Sequence, residues 1–214
     1  ALLAVFGTME GVSNANKSYE SLMTAYEIQD VAASLREDMT ARREELIRRQ
    51  GALTQEEERI YRAVLIEVGV GIDGGEVFYG TIGSSHRMTN TVIGDNVNSS
   101  SRLEGLTRIY RVPVICSEYI KEEVEKKSED FVFLEIDQVQ VKGKTQGKKV
   151  FWPIKREVLD DQFESDIDFF AEELKLYYKG DWPEAYKKFE QCGLPVAEVF
   201  RDRTKRATSP KGWN

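Results

Sequence analysis

Val70–Arg102 reads VGIDGGEVFYGTIGSSHRMTNTVIGDNVNSSSR, and the fold turns on this stretch. The β-branched residues from Val64 to Ile72 predict a strand. Asp73-Gly74-Gly75 is a tight-turn signal from which Glu76–Ile82 returns as the second arm of a hairpin. Gly69, Gly71 and Gly80 lie within these strands, where a missing side chain lets another part of the chain approach bare backbone. Thr91-Val92-Ile93-Gly94-Asp95 then carries an apolar strand into a glycine turn. From Asn96 to about Tyr110 the apolar residues Val97, Leu103, Leu106 and Ile109 predict a helix. Asn98 and Arg102 lie four apart on it, so an amide and a guanidinium share one face. Such a pair can grip a ribose and a developing negative charge, because a guanidinium contacts phosphate oxygens in bidentate fashion. The same spacing suits an ordinary Asn/Arg pair on a helix surface, and spacing alone leaves both readings open.

Working outward, Ala1–Phe6 reads as a buried strand entered in mid-stride, which predicts further sequence upstream. Gly7–Lys17 reads as a loop and Ser18 as the cap of a long helix to about Arg49, with Leu22, Ala25, Ile28, Ala32, Leu35, Met39 and Leu46 on its apolar face. The charges at its far end read as a solvated face. Gly51 breaks this helix, and Thr54 with Glu57 forms a capping-box pattern for a short second helix through about Ala63.

Downstream, Val112–Cys116 is a short strand, and Ser117 caps a helix through about Lys127. Phe131–Val141 and Lys148–Pro153 are two further strands. This order predicts an α+β fold, with helices against a mostly antiparallel sheet. After Lys155 the composition turns acidic and then aromatic. That shift predicts a linker at 156–164 and a helical hairpin in 165–214, broken at Lys179-Gly180-Asp181-Trp182-Pro183. The hairpin is similar to one tetratricopeptide repeat; it reads equally as a clamp on residues 1–155 or as a surface for a protein partner.

A net charge of −7 and a pI near 5.1 argue against nucleic acid as a partner, since such binders carry a basic stripe. Cys116 and Cys192 are far apart without metal-ligand spacing, and His86 is the only histidine, so neither a zinc site nor a Ser/His/Asp triad is suggested. No run approaches the ~18 apolar residues of a membrane helix. The expectation is a cytoplasmic domain without membrane contact.

Thr91-Val92-Ile93-Gly94-Asp95-Asn96-Val97-Asn98 with Arg102-Leu103-Glu104, the preceding hairpin, and Val141-Lys142-Gly143-Lys144 together resemble class III adenylyl and guanylyl cyclase catalytic domains, over roughly residues 1–155. The resemblance implies a ferredoxin-like core lacking its first strands. It implies conversion of ATP to cyclic AMP and pyrophosphate by attack of the ribose 3′-oxygen on the α-phosphorus. By this resemblance Asn98 orients the ribose, Arg102 stabilises the pentavalent phosphorus, and Lys142 holds the terminal phosphates. Thr91 takes the base-reading position, and Val92 offers backbone groups to the purine edge. A threonine at that position leans toward ATP, with guanylate cyclase as the alternative.

The family binds two divalent metal ions, Mg or Mn, with two aspartates; both would lie upstream of Ala1, so no metal ligand of that set is in this sequence. A homodimer with interfacial sites built from both chains is implied, ATP being the small-molecule partner. The missing aspartates keep open a non-catalytic half that binds nucleotide or complements an aspartate-bearing partner. Asp73-Gly74-Gly75-Glu76 also resembles the Gly-Gly-Asp-Glu-Phe turn of diguanylate cyclases, but the residue order differs and Asn98/Arg102 has no counterpart there.

Overall fold

Ser13 accepts a hydrogen bond from the backbone N–H of Asn16 and opens helix α1, Asn14–Gln50. The cap therefore lies upstream of the predicted Ser18, which is buried inside the helix while Ser21 donates to its carbonyl. The computed structural model describes residues 2–8, 11–65, 67–84, 87–140 and 147–205. Gly51 ends α1 at φ 86°, its N–H bonded to the Ile47 carbonyl. Helix α2, Gln55–Val64, starts with the predicted capping box, and Arg43 ties it to α1 through Glu58 at 2.8 Å.

Because α2 runs through Val64, the strand predicted over Val64–Ile72 shortens to β1, Val70–Ile72. Its partner is also not the one expected. The returning arm, β2 (Phe78–Ser84), pairs antiparallel with β3 (Arg87–Ile93), with Gly80 opposite Thr91. Strand β1 instead pairs in parallel with β4, Val114–Ser117. The turn after β1 explains the difference. The Asn96 side-chain amide donates to Asp73 Oδ2 (3.1 Å) and to the Gly74 carbonyl (2.7 Å), so the turn is bound to the following helix rather than closed on itself. Strands β5 (Phe131–Gln140) and β6 (Gly147–Lys155) complete a sheet of order β1-β4-β6-β5, antiparallel except for β1/β4. The apolar start forms no strand: residues 2–8 have no regular structure, Leu2 and Leu3 are exposed, and the segment pairs with no described strand.

Alternation along the strands divides two cores. Val114, Cys116, Phe131 and Phe151 face Leu22 and Ala25 of α1, and Ile120 and Val124 of α4 (Glu118–Glu125). Ile115, Leu134, Ile136, Val150, Trp152 and Ile154 face the other way, onto Leu103 and Tyr110 of α3 (Asp95–Tyr110). The same core takes Phe170, Phe189 and Phe200 from the C-terminal helices α5 (Asp161–Tyr178), α6 (Trp182–Phe189) and α7 (Pro195–Thr204). A third helix thus joins the predicted hairpin. Asp160 caps α5 by accepting from the Phe163 N–H at 2.8 Å, within the stretch read as linker. Pro195, in the first turn of α7, is a start signal the sequence reading passed over.

Candidate active site

Two glycines seat the helix that carries the candidate residues. A Cβ on Gly71 would lie 2.1 Å from the Glu104 backbone nitrogen and 2.2 Å from the Ser100 carbonyl oxygen. One on Gly69 would lie 2.0 Å from Thr107 Oγ1. Helix α3 therefore rests on the bare backbone around β1, as glycines within a strand allow. Gly80 does not share this role, since a Cβ there meets only the ring of Phe78. With Leu103, Thr107 and Tyr110 turned inward, Asn98 and Arg102 are exposed on the outer side, without a hydrogen bond or ion pair among the described residues.

Beside them a cleft of about 190 Å³ opens between α3 and the sheet. Leu103, Leu106, Val139 and Val150 give it apolar walls, while Ser99, Arg102, Lys148 and Lys149 supply polar groups. Ser117 also lines it, and its Oγ is buried without a partner among the described residues. The Glu135 carboxylate pairs with Lys149 at 2.8 Å and raises its pKa. Arg102 and Lys148 have no carboxylate within ion-pair distance among the described residues, so two cations are left for an anionic ligand.

Lys142 lies outside the described residues. The strand ends flanking it in sequence, Gln140 and Gly147, pair with each other next to the Val139/Lys148 pair of the cleft wall. Thr91 and Val92 are half-buried on β3, opposite Gly80 and Tyr79, and reach α3 through the Gly94 elbow. The structure thus brings Arg102 to Lys148 in one cleft, whose lining does not include Thr91, Val92 or Asn98.

Two contributors escaped the sequence reading. Asn96 ties the first turn of α3 to the end of β1, but its partner Asp73 is distant in sequence. Lys148 shares the β6 face of Val150 and Trp152, an alternation that could have been read. Burial pushes the Cys116 thiol well above its ordinary range, and that of Cys192 to about 11, so neither is a thiolate nucleophile at neutral pH. Among the described residues no three His, Cys, Asp or Glu side chains converge to hold a metal ion, and no helix is long and apolar enough to cross a membrane.

The family described as adenylate and guanylate cyclase catalytic domain matches residues 6–155. The chain is 29% identical over 139 residues to the terminal-differentiation-specific adenylate cyclase of Dictyostelium discoideum, covering 62% of this chain and 6% of that protein. It is 40% identical over 87 residues to an adenylate cyclase of Anabaena cylindrica, covering 40% of this chain and 17% of that one. The chain thus spans a small part of the length of either relative. Among solved structures, the adenylyl cyclase CyaB from P. aeruginosa aligns with a TM-score of 0.46 at 20% identity, over 72% of this chain and 68% of that one. A bacterial light-regulated adenylyl cyclase aligns with a TM-score of 0.36 at 26% identity, over 48% and 28% of the two chains.

Proposed function

The chain belongs to the adenylate and guanylate cyclase catalytic-domain family, and from that premise we propose that it is the catalytic part of an adenylate cyclase, making cyclic AMP and pyrophosphate from ATP. The observation that carries this reading is the presentation of Asn98 and Arg102 on the open side of α3, with unneutralised Arg102 facing Lys148 across the cleft.

In this reading the Asn98 amide hydrogen-bonds the ribose and holds its 3′-oxygen in line with the α-phosphorus. Attack builds negative charge on the α-phosphate oxygens, and the Arg102 guanidinium, fixed by α3, meets that charge without reorganising. Lys142 and Lys148 hold the departing pyrophosphate. Thr91 and the Val92 backbone read the purine and favour ATP over GTP. The divalent ions this family uses would neutralise charge at the attacking and leaving oxygens. Among the described residues no group of three or more His, Cys, Asp or Glu side chains gathers to hold them.

A second copy of the chain completes the site. Exposed Phe78, Ile82 and Ile93 on one face of the β2–β3 hairpin, with Tyr79 and Met88 on the other, support this as apolar surface open to a partner. One further reading is that this chain complements a carboxylate-bearing partner. Activity that appears only on mixing with such a partner would select it.

The test is cyclic AMP formation by Asn98→Ala and Arg102→Ala in the full-length protein. Both variants should keep the wild-type melting temperature and lose about 10²-fold or more in turnover. Wild-type turnover in both removes the assignment, and a preference for GTP moves it to guanylate cyclase.

A further inference from the structure

The C-terminal helices lie beyond the family match, yet α7 reaches both walls of the cleft. Arg203 donates to Asp137 Oδ2 of β5 at 2.7 Å and to the Tyr110 hydroxyl at 3.3 Å. Tyr110 is the last residue of α3 and itself donates to Asp137 Oδ2. The Arg203 guanidinium also sits over the Tyr110 and Phe200 rings, at 5.1 and 4.9 Å from their centroids. On the same helix Glu198 pairs with Arg111, the residue that ends α3. Asp137 is 8% exposed and stands where the β5/β6 register shifts, two residues before Val139 of the cleft wall. Arg203 is the cation paired with this buried carboxylate, and removing one member of a buried pair leaves the other without its partner.

We infer that α7 is a brace for the active site and that Arg203 is a positioning residue, locking the end of α3 to the β5 bulge and thereby setting the spacing between Arg102 and the β5–β6 strand ends. This rests on the reading of Arg102 as the phosphate contact. From Tyr110 back to Arg102 the helix runs about 12 Å. A tilt of about 5° at the joint therefore moves Arg102 by about 1 Å, a displacement of the size that misaligns a reacting centre. The C-terminal helices thus control turnover without touching substrate.

The experiment compares Arg203→Met, Arg203→Lys and Glu198→Gln in the full-length protein, by steady-state kinetics and amide hydrogen exchange. Arg203→Met should lower kcat about 10- to 100-fold with less than about a threefold change in KM for ATP, and Arg203→Lys should restore most of the loss. Exchange should rise selectively at residues 107–111 and 134–139. Should Arg203→Met fail to fold, Glu198→Gln removes the second tie at an exposed position and should lower kcat about two- to fivefold at unchanged KM.

A folded Arg203→Met variant with wild-type kcat overturns the brace, as does unchanged exchange at both segments. For Glu198→Gln, unchanged kcat overturns it equally. If Arg102→Ala keeps full turnover, the reading of Arg102 is what fails, and the exchange pattern still decides whether α7 holds α3 to β5.

Discussion

Replacing Gly71 with alanine adds one methyl group at the seat of α3. The residue lies outside the left-handed region, so its backbone tolerates alanine and the clash alone is tested. The new carbon would sit 2.1 Å from Glu104 N, 2.2 Å from Ser100 O and 2.7 Å from the Leu103 carbonyl carbon, all helix backbone rather than movable side-chain ends. Ordinary contact begins near 3.4 Å, so α3 must back away from the strand by roughly 1 Å. Overpacking of this kind costs about 1–3 kcal/mol, which for a chain of this size lowers the melting temperature by roughly 3–10 °C. Arg102 moves with the helix, and a shift of about 1 Å costs on the order of 10²-fold in kcat. The assay is cyclic AMP formation across ATP concentrations, with calorimetry on the same samples. Gly105→Ala is the control: it lies on the same helix, its new carbon meets nothing within 4 Å, and it should keep kcat while gaining up to about 1 kcal/mol of helix propensity. Wild-type kcat and melting in Gly71→Ala would refute the view that bare backbone at β1 positions α3 and the Arg102 it carries.

Glu173 on α5 is fully buried, and neither of its carboxylate oxygens has a hydrogen-bond partner among the described residues. Burial pushes its pKa from 4.5 to about 7, against the pull of Lys188. The folded state then holds this proton over a pH range in which the unfolded chain has released it. Its contribution to stability therefore falls as pH rises from about 4.5 to about 7 and levels off above, by at most roughly 3 kcal/mol. Glu173→Met should gain about 1–3 kcal/mol at pH 8 and little near pH 4.5; parallel melting-against-pH curves for the two proteins would contradict this. Asn96→Asp would set a carboxylate against Asp73 and lose the bond to the Gly74 carbonyl. It should cost about 1–3 kcal/mol in urea unfolding at pH 7, with the deficit shrinking on acidification; unchanged stability would mean that the amide does not hold the turn, and a deficit independent of pH would mean that Asp73 does not repel the new carboxylate.

The elements legible in the sequence are those whose signals are local. Thr54 and Glu57 satisfy each other's backbone three residues apart, and the apolar spacing of Leu103 and Leu106 needs nothing beyond the helix itself. The Asn98/Arg102 pair was readable for the same reason, because a spacing of four fixes a shared face wherever the helix lies. Strand partners were not legible, since every backbone presents the same donors and acceptors and a ladder bond does not say which strand it joins. Asp73-Gly74-Gly75 therefore looked like a hairpin turn, until Asn96 proved to hold it and β4 to take the place beside β1.

By itself, then, the sequence determined the family, helices α1 to α6 and most strand segments, because caps, periodicity and motif order are written within a few residues of one another; the strand read over Ala1–Phe6 and the overlooked α7 are where those local signals misled. Tertiary structure alone decided that β1 runs parallel to β4, that Lys148 joins Arg102 in one cleft, and that Arg203 reaches Asp137 and Tyr110. Those relations join residues dozens of positions apart, and they are selected by which faces bury together and which charge finds a partner once buried.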